Sequence, residues 1–102
     1  MDKSAIIETA RRYAQVVAGE LNPSTILLYG SYAQNTAHAG SDIDVAVIFD
    51  GFSGNWLETS ARLWKLRRGI SDDIEPILLD IKRDESGFIA GILRTGEVLY
   101  GS

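Results

Sequence analysis

The stretch from Leu28 to Ile48 constrains this chain more than any other. It reads Leu-Tyr-Gly-Ser-Tyr-Ala-Gln-Asn-Thr-Ala-His-Ala-Gly-Ser-Asp-Ile-Asp-Val-Ala-Val-Ile. One apolar run, Ile26 to Tyr29, stops at Gly30-Ser31, and a second, Val45 to Phe49, starts just after Asp42 and Asp44. Short apolar runs bounded by turn residues predict buried strands. The Gly-Ser pair then lies at the exit of one strand and the two aspartates at the entry of the next.

Residues two apart on a strand point to one face, so Asp42 and Asp44 project together, roughly 6.6–7 Å apart along it. Unpaired carboxylates that close repel one another, and a divalent cation relieves the repulsion. Mg²⁺ takes hard oxygen ligands, typically one or two carboxylates plus substrate phosphates. Gly30 lets backbone approach a ligand closely. Ser31 offers a hydroxyl, and a helix starting there would present free N–H groups to a phosphate. Together these features describe a site for a metal-bound nucleoside triphosphate.

The same residues resemble a known family. Gly30-Ser31, ten residues, then Asp42-Ile43-Asp44 is similar to the signature of the DNA polymerase β-like nucleotidyltransferase superfamily. The resemblance is to its minimal nucleotidyltransferase branch, which includes the antitoxin halves of MNT–HEPN toxin–antitoxin pairs. Gly30, Ser31, Ala33, Ser41, Asp42 and Asp44 match the family pattern. Gln34 stands where a basic residue is usual, and Asn35 where glycine is usual. Asn tolerates a left-handed backbone.

One hundred and two residues make one domain, residues 1–102. A hydrophobic content of 45% fits a globular chain. Without cysteine there is no disulfide framework, thiolate metal site or cysteine nucleophile. The charged N-terminal residues lack a secretory pattern, and no apolar run approaches the roughly 20 residues that span a bilayer. The expectation is a cytoplasmic protein without a membrane partner. Fourteen acidic against ten basic residues, net −4, argues against a free nucleic acid as ligand. A nucleotide chelated to Mg²⁺ differs, because the metal supplies positive charge locally.

Along the chain, residues 4–21 predict an amphipathic helix, with Ile6, Ile7, Ala10, Tyr13, Ala14, Val17 and Leu21 at helical spacing. Asn22-Pro23-Ser24 breaks it. Strand one covers about 25–29, a short helix 31–37, and strand two about 43–49, its continuous apolar run implying cover on both faces. The lone histidine, His38, reads as a solvated loop residue, and zinc is disfavoured. Asn55 with Glu58 forms a capping arrangement for a helix reaching about Arg68, with Trp56, Leu57, Ala61, Leu63 and Trp64 as its apolar side. Its cationic end, Arg62, Lys65, Arg67 and Arg68, suits the helix dipole. The third strand lies within Asp72 to Leu79. Pro76 argues for an edge position, and Asp72 and Asp80 read as solvated ends. Asp84 is expected to begin a last helix that Gly96 closes, and Glu97 to Tyr100 resembles the family's terminal strand.

The resemblance implies an α/β fold, a polymerase β-like core with helices around a small mixed sheet and core strand order 1-2-3. It implies a third carboxylate on strand three beside Asp42 and Asp44. Glu75, flanked by Ile74 and Pro76, fits best, with Asp73 of the same parity as its competitor. The function implied is nucleotidyl transfer: two Mg²⁺ ions on Asp42, Asp44 and Glu75, ATP as substrate, and triphosphate binding by Gly30, Ser31 and Ser41. The implied partner is a HEPN-type toxin, silenced by AMP on a tyrosine. The alternative is a binding module that neutralises its partner by contact, to which Gln34 and Asn35 lend weight.

Overall fold

A computed structural model describes residues 3–33 and 42–101. Helix α1 (Lys3–Leu21) is followed by strands β1 (Thr25–Tyr29) and β2 (Ile43–Phe49), helix α2 (Trp56–Leu66), strand β3 (Ile74–Asp80), a 3₁₀ turn (Ile81–Arg83), helix α3 (Phe88–Thr95) and strand β4 (Glu97–Gly101). The sheet order is β3-β2-β1-β4. β1 runs antiparallel to both β2 and β4, whereas β2 and β3 are parallel, joined through α2. The expected 1-2-3 core is therefore present, extended by β4.

Each face of the sheet has its own apolar layer. Ile26, Leu28, Ile43, Val45, Val47, Ile74 and Leu78 pack on one side with Ile6, Ala10, Tyr13, Ala14 and Val17 of α1 and Leu63 of α2. The helical spacing of the α1 residues thus marks its buried stripe. The Tyr13 hydroxyl donates to the Leu63 carbonyl at 2.6 Å, joining α1 to α2 inside this layer. On the other face Leu27, Ala46 and Ile48 meet Ile89 and Ile92 of α3. The alternation along β2 explains its continuous apolar run: odd positions face α1 and α2, even positions face α3. Asp44 is the exception among the even positions.

The helix ends follow local chemistry. Asn22 takes a positive φ of 52° and its N–H bonds back to Ala18 at 3.0 Å, ending α1. Asn55 caps α2, its side chain accepting from the Glu58 N–H at 2.9 Å. α3 begins later than expected, at Phe88. Asp84 lies upstream and its carboxylate accepts from the N–H groups of Ile89 and Ala90 at 3.0 and 3.1 Å. It caps the helix instead of starting it, because those first donors have no intrahelical partner.

Three further expectations need correction. Leu57, Ala61 and Trp64 are exposed, Leu57 at 80%. The sheet takes only the side of α2 that carries Trp56, Leu63 and Leu66. Asp80 is not a solvated strand end but is buried. Residues 31–33 form a turn and not the start of a helix. The rest of that expected helix, 34–37 with Gln34 and Asn35, lies outside the described residues, as do His38 and Ser41. Pro76 does stand on an edge strand. Ile43 N–H donates to the Asp73 carbonyl at 2.8 Å. In a parallel ladder with that phase the amide position of Pro76 faces away from β2, where no donor is needed.

Candidate active site

The site starts from one row of residues across the sheet. Asp44 of β2 is paired with Tyr29 of β1 on one side and Glu75 of β3 on the other. Cross-strand partners share a face, so all three side chains rise on the α3 side. α3 covers Ala46 and Ile48 further along β2. It leaves Asp44 half-buried and Glu75 exposed.

Gly30, the residue after Tyr29, adopts φ 75°. A Cβ built there would collide with Oδ2 of Asp44. Glycine is thus required twice, by the left-handed backbone and by the carboxylate resting against it. Ser31 follows in the same turn, half-buried. Asp42, exposed just before β2, comes within hydrogen-bonding reach of the Glu75 carboxyl.

The electrostatics record this crowding. Burial, then the charge of Asp42, raises the proton affinity of Asp44 above the ordinary 3.8. Glu75 is raised by desolvation, by the charge and hydrogen bond of Asp42 and by the charge of Asp44, while Arg67 opposes the shift. Tyr29 is raised by burial and then by Asp44 and Glu75. Like charges crowded together at one end of the sheet mark a candidate functional site.

Of the residues singled out in the sequence, the fold brings Gly30, Ser31, Asp42, Asp44 and Glu75 to one end of the sheet, and Ser41 lies outside the described residues. Asp73 is exposed and precedes β3, its N–H donating to the Ser71 hydroxyl oxygen at 3.1 Å. Two residues escaped the sequence reading. Tyr29 shares the parity of Asp44 and adjoins Gly30, a signal readable once the β1–β2 hairpin is drawn. Arg67 carried no such signal, because it looks like one more cation at a helix end.

Among the described residues no group of three His, Cys, Asp or Glu side chains is already gathered tightly enough to hold a metal ion. The donor set nonetheless suits one. It is all carboxylate oxygen at one end of the sheet, Asp42 raises the proton affinity of Asp44, Asp42 and Asp44 raise that of Glu75, and Asp44 is seated against Gly30. That is the chemistry of a hard divalent cation.

Comparison with known proteins agrees with this geometry. Residues 6–102 match the family described as "Polymerase beta, Nucleotidyltransferase". The chain is 32% identical over 79 residues to the protein adenylyltransferase MntA of Shewanella oneidensis, a match covering 76% of this chain and 53% of that protein. It therefore spans about half the length of this relative. Among solved structures, a proposed nucleotidyltransferase of Sulfolobus solfataricus superposes with a TM-score of 0.71 at 18% identity, covering 97% of this chain and 83% of that one. This likeness is one of fold. A toxin–antitoxin complex with AMP-PNP matches at TM-score 0.62 and 25% identity over 90% of this chain and 73% of that one. A mutant MntA–HpeT toxin–antitoxin matches at 0.63 and 25% over 89% and 71%. The chain belongs to the polymerase beta nucleotidyltransferase family.

Proposed function

We propose that this nucleotidyltransferase is a Mg²⁺-dependent, cytoplasmic enzyme that moves AMP from ATP onto a hydroxyl of a protein partner, a HEPN-type toxin. The observation that carries the reading is the row Asp44–Glu75 with Asp42 beside it and Gly30 against Asp44. The similarity to a protein adenylyltransferase and to a toxin–antitoxin complex holding AMP-PNP supports the choice of nucleotide and partner. Among the described residues no helix is long and apolar enough to cross a membrane.

Asp42, Asp44 and Glu75 would hold two Mg²⁺ ions, which when bound neutralise triphosphate charge and acidify the acceptor hydroxyl. The Gly30-Ser31 turn binds the β- and γ-phosphates, with Ser41, which precedes Asp42 in the sequence, contributing its hydroxyl. The acceptor oxygen bonds to the α-phosphorus as the bond from that phosphorus to the bridging oxygen breaks. Pyrophosphate leaves, and Glu75 takes the acceptor proton before passing it to water. The tyrosine hydroxyl of the toxin is the acceptor, and its own fold supplies the surface that presents it.

A second reading is favoured by one observation: Gln34 and Asn35 replace the usual basic residue and glycine. In it the chain inhibits its partner by contact alone. Mass spectrometry of the toxin after incubation with substoichiometric protein, ATP and Mg²⁺ separates the two. A gain of about 329 Da per AMP is expected from transfer with loss of pyrophosphate. An unmodified toxin inhibited only at equal stoichiometry would overturn the enzymatic reading.

A further inference from the structure

β3 is an edge strand and carries Glu75 near its start. Since the Asp73 carbonyl receives the Ile43 N–H, the carbonyls of Asp72 and Ile74 on either side of it face outward, away from β2. Both are taken by one side chain. Nη1 of Arg67 donates to the Asp72 carbonyl and, at 3.5 Å, to that of Ile74. The guanidinium lies over the Trp64 ring, its carbon 4.7 Å from the centroid. This gives the exposed tryptophan a task that core packing does not. The backbone of Arg67 also anchors the turn into β3, its carbonyl accepting from Ile70 and Ser71 at 3.0 and 3.2 Å.

We propose that Arg67 is a positioning residue: seated on Trp64, it grips the outward carbonyls on both sides of Asp73, fixes the first residues of β3 and so holds Glu75 alongside Asp44. Its importance for Glu75 rests on the function proposed above. Arg67 also acts attractively on the Glu75 carboxylate, offsetting part of the repulsion from Asp42 and Asp44. Lysine cannot replace it fully, because a compact ammonium stacks less well on the Trp64 ring than a planar guanidinium. Arg68, exposed on the next residue, has the same charge and neither contact, so it serves as the control.

The test compares Arg67→Gln, Arg67→Lys and Arg68→Gln with wild type in two measurements. Amide hydrogen exchange is followed on the metal-free protein, and Mn²⁺ binding is followed by electron paramagnetic resonance with ATP present. Arg67→Gln is expected to speed exchange at Glu75 and Ile77 about tenfold while α1 is unchanged, and to weaken Mn²⁺ binding about tenfold, as loss of a group supporting a metal ligand does. Arg67→Lys should recover part of both, and Arg68→Gln should match wild type. Exchange in Arg67→Gln equal to that in Arg68→Gln would overturn the grip on β3. Faster exchange with unaltered Mn²⁺ binding would reduce Arg67 to a structural residue and overturn the inference. A wild-type protein that binds no Mn²⁺ would overturn the functional reading first, and the inference with it.

Discussion

The two ends of β3 each carry a carboxylate, and they are treated in opposite ways. Asp80, at the end of the strand, accepts from the N–H groups of Gly51 and Phe52 at 2.9 Å each and of Lys82 at 3.0 Å, with Arg83 at 4.0 Å. The hydrogen bond from Phe52, followed by those from Gly51 and Lys82, holds its carboxyl below the ordinary range despite burial. Glu75, at the start, faces two other carboxylates, and its proton affinity goes up. Protein donors satisfy the first, so it ties the β2–α2 loop to β3. The second meets mainly its own kind. Backbone N–H groups favour the ionised carboxylate at Asp80, whereas neighbouring like charge disfavours it at Glu75.

The largest effect expected from this contrast is on transfer. Asp44→Asn should cut AMP transfer about 100-fold or more, the scale seen when one group stabilising transition-state charge is removed. It should also abolish the difference in ATP affinity, by calorimetry, between Mg²⁺ and EDTA. Its melting temperature should not fall, because a repulsion is relieved. Glu75→Gln should behave alike and Asp73→Asn should not. If Asp73→Asn abolishes transfer while Glu75→Gln is near normal, Asp73 is the third carboxylate.

The next effect is on stability and belongs to the other end of the strand. Asp80→Asn keeps the shape but presents an N–H₂ group to backbone donors. It should lower the melting temperature by several degrees, with ATP binding per folded molecule unchanged. A variant as stable as wild type would contradict the structural role of Asp80.

The smallest effect is the pH dependence of metal-free stability. Asp44 and Glu75 bind protons more tightly when folded, so their contribution is fully present below the ordinary values of 3.8 and 4.5. It is lost as pH rises from there through the raised folded values. Asp80 has the opposite sign. Its contribution is present above 3.8 and lost as pH falls through its lowered folded value. Denaturant unfolding across this range should show the loss on the rising side, and Asp44→Asn should shrink it. Addition of Mg²⁺ at neutral pH should restore stability to wild type and leave Asp44→Asn unchanged.

Local pattern sufficed for much of this protein. Apolar runs bounded by turn signals located β1 and β2, helical spacing located α1, and the i, i+2 spacing set Asp42 and Asp44 together at the entry of β2. The cap at Asn55 is a three-residue matter and was equally legible. Other features depended on contacts that adjacent residues do not encode. Only the parallel register of β2 with β3 sets Glu75 on Asp44, and that pairing crosses the whole of α2. The composition of α2 suggested a broad apolar side. The sheet covers one stripe of it, so Leu57 is left to solvent and Trp64 is left under Arg67. Asp80 shows the same limit. A carboxylate at a strand end looks solvated until a loop almost thirty residues earlier in the chain brings its N–H groups back to it. Periodicity reports which way a side chain points, because that is fixed by the backbone repeat. What the side chain meets there depends on which distant segment packs against it, and packing alone decided that here.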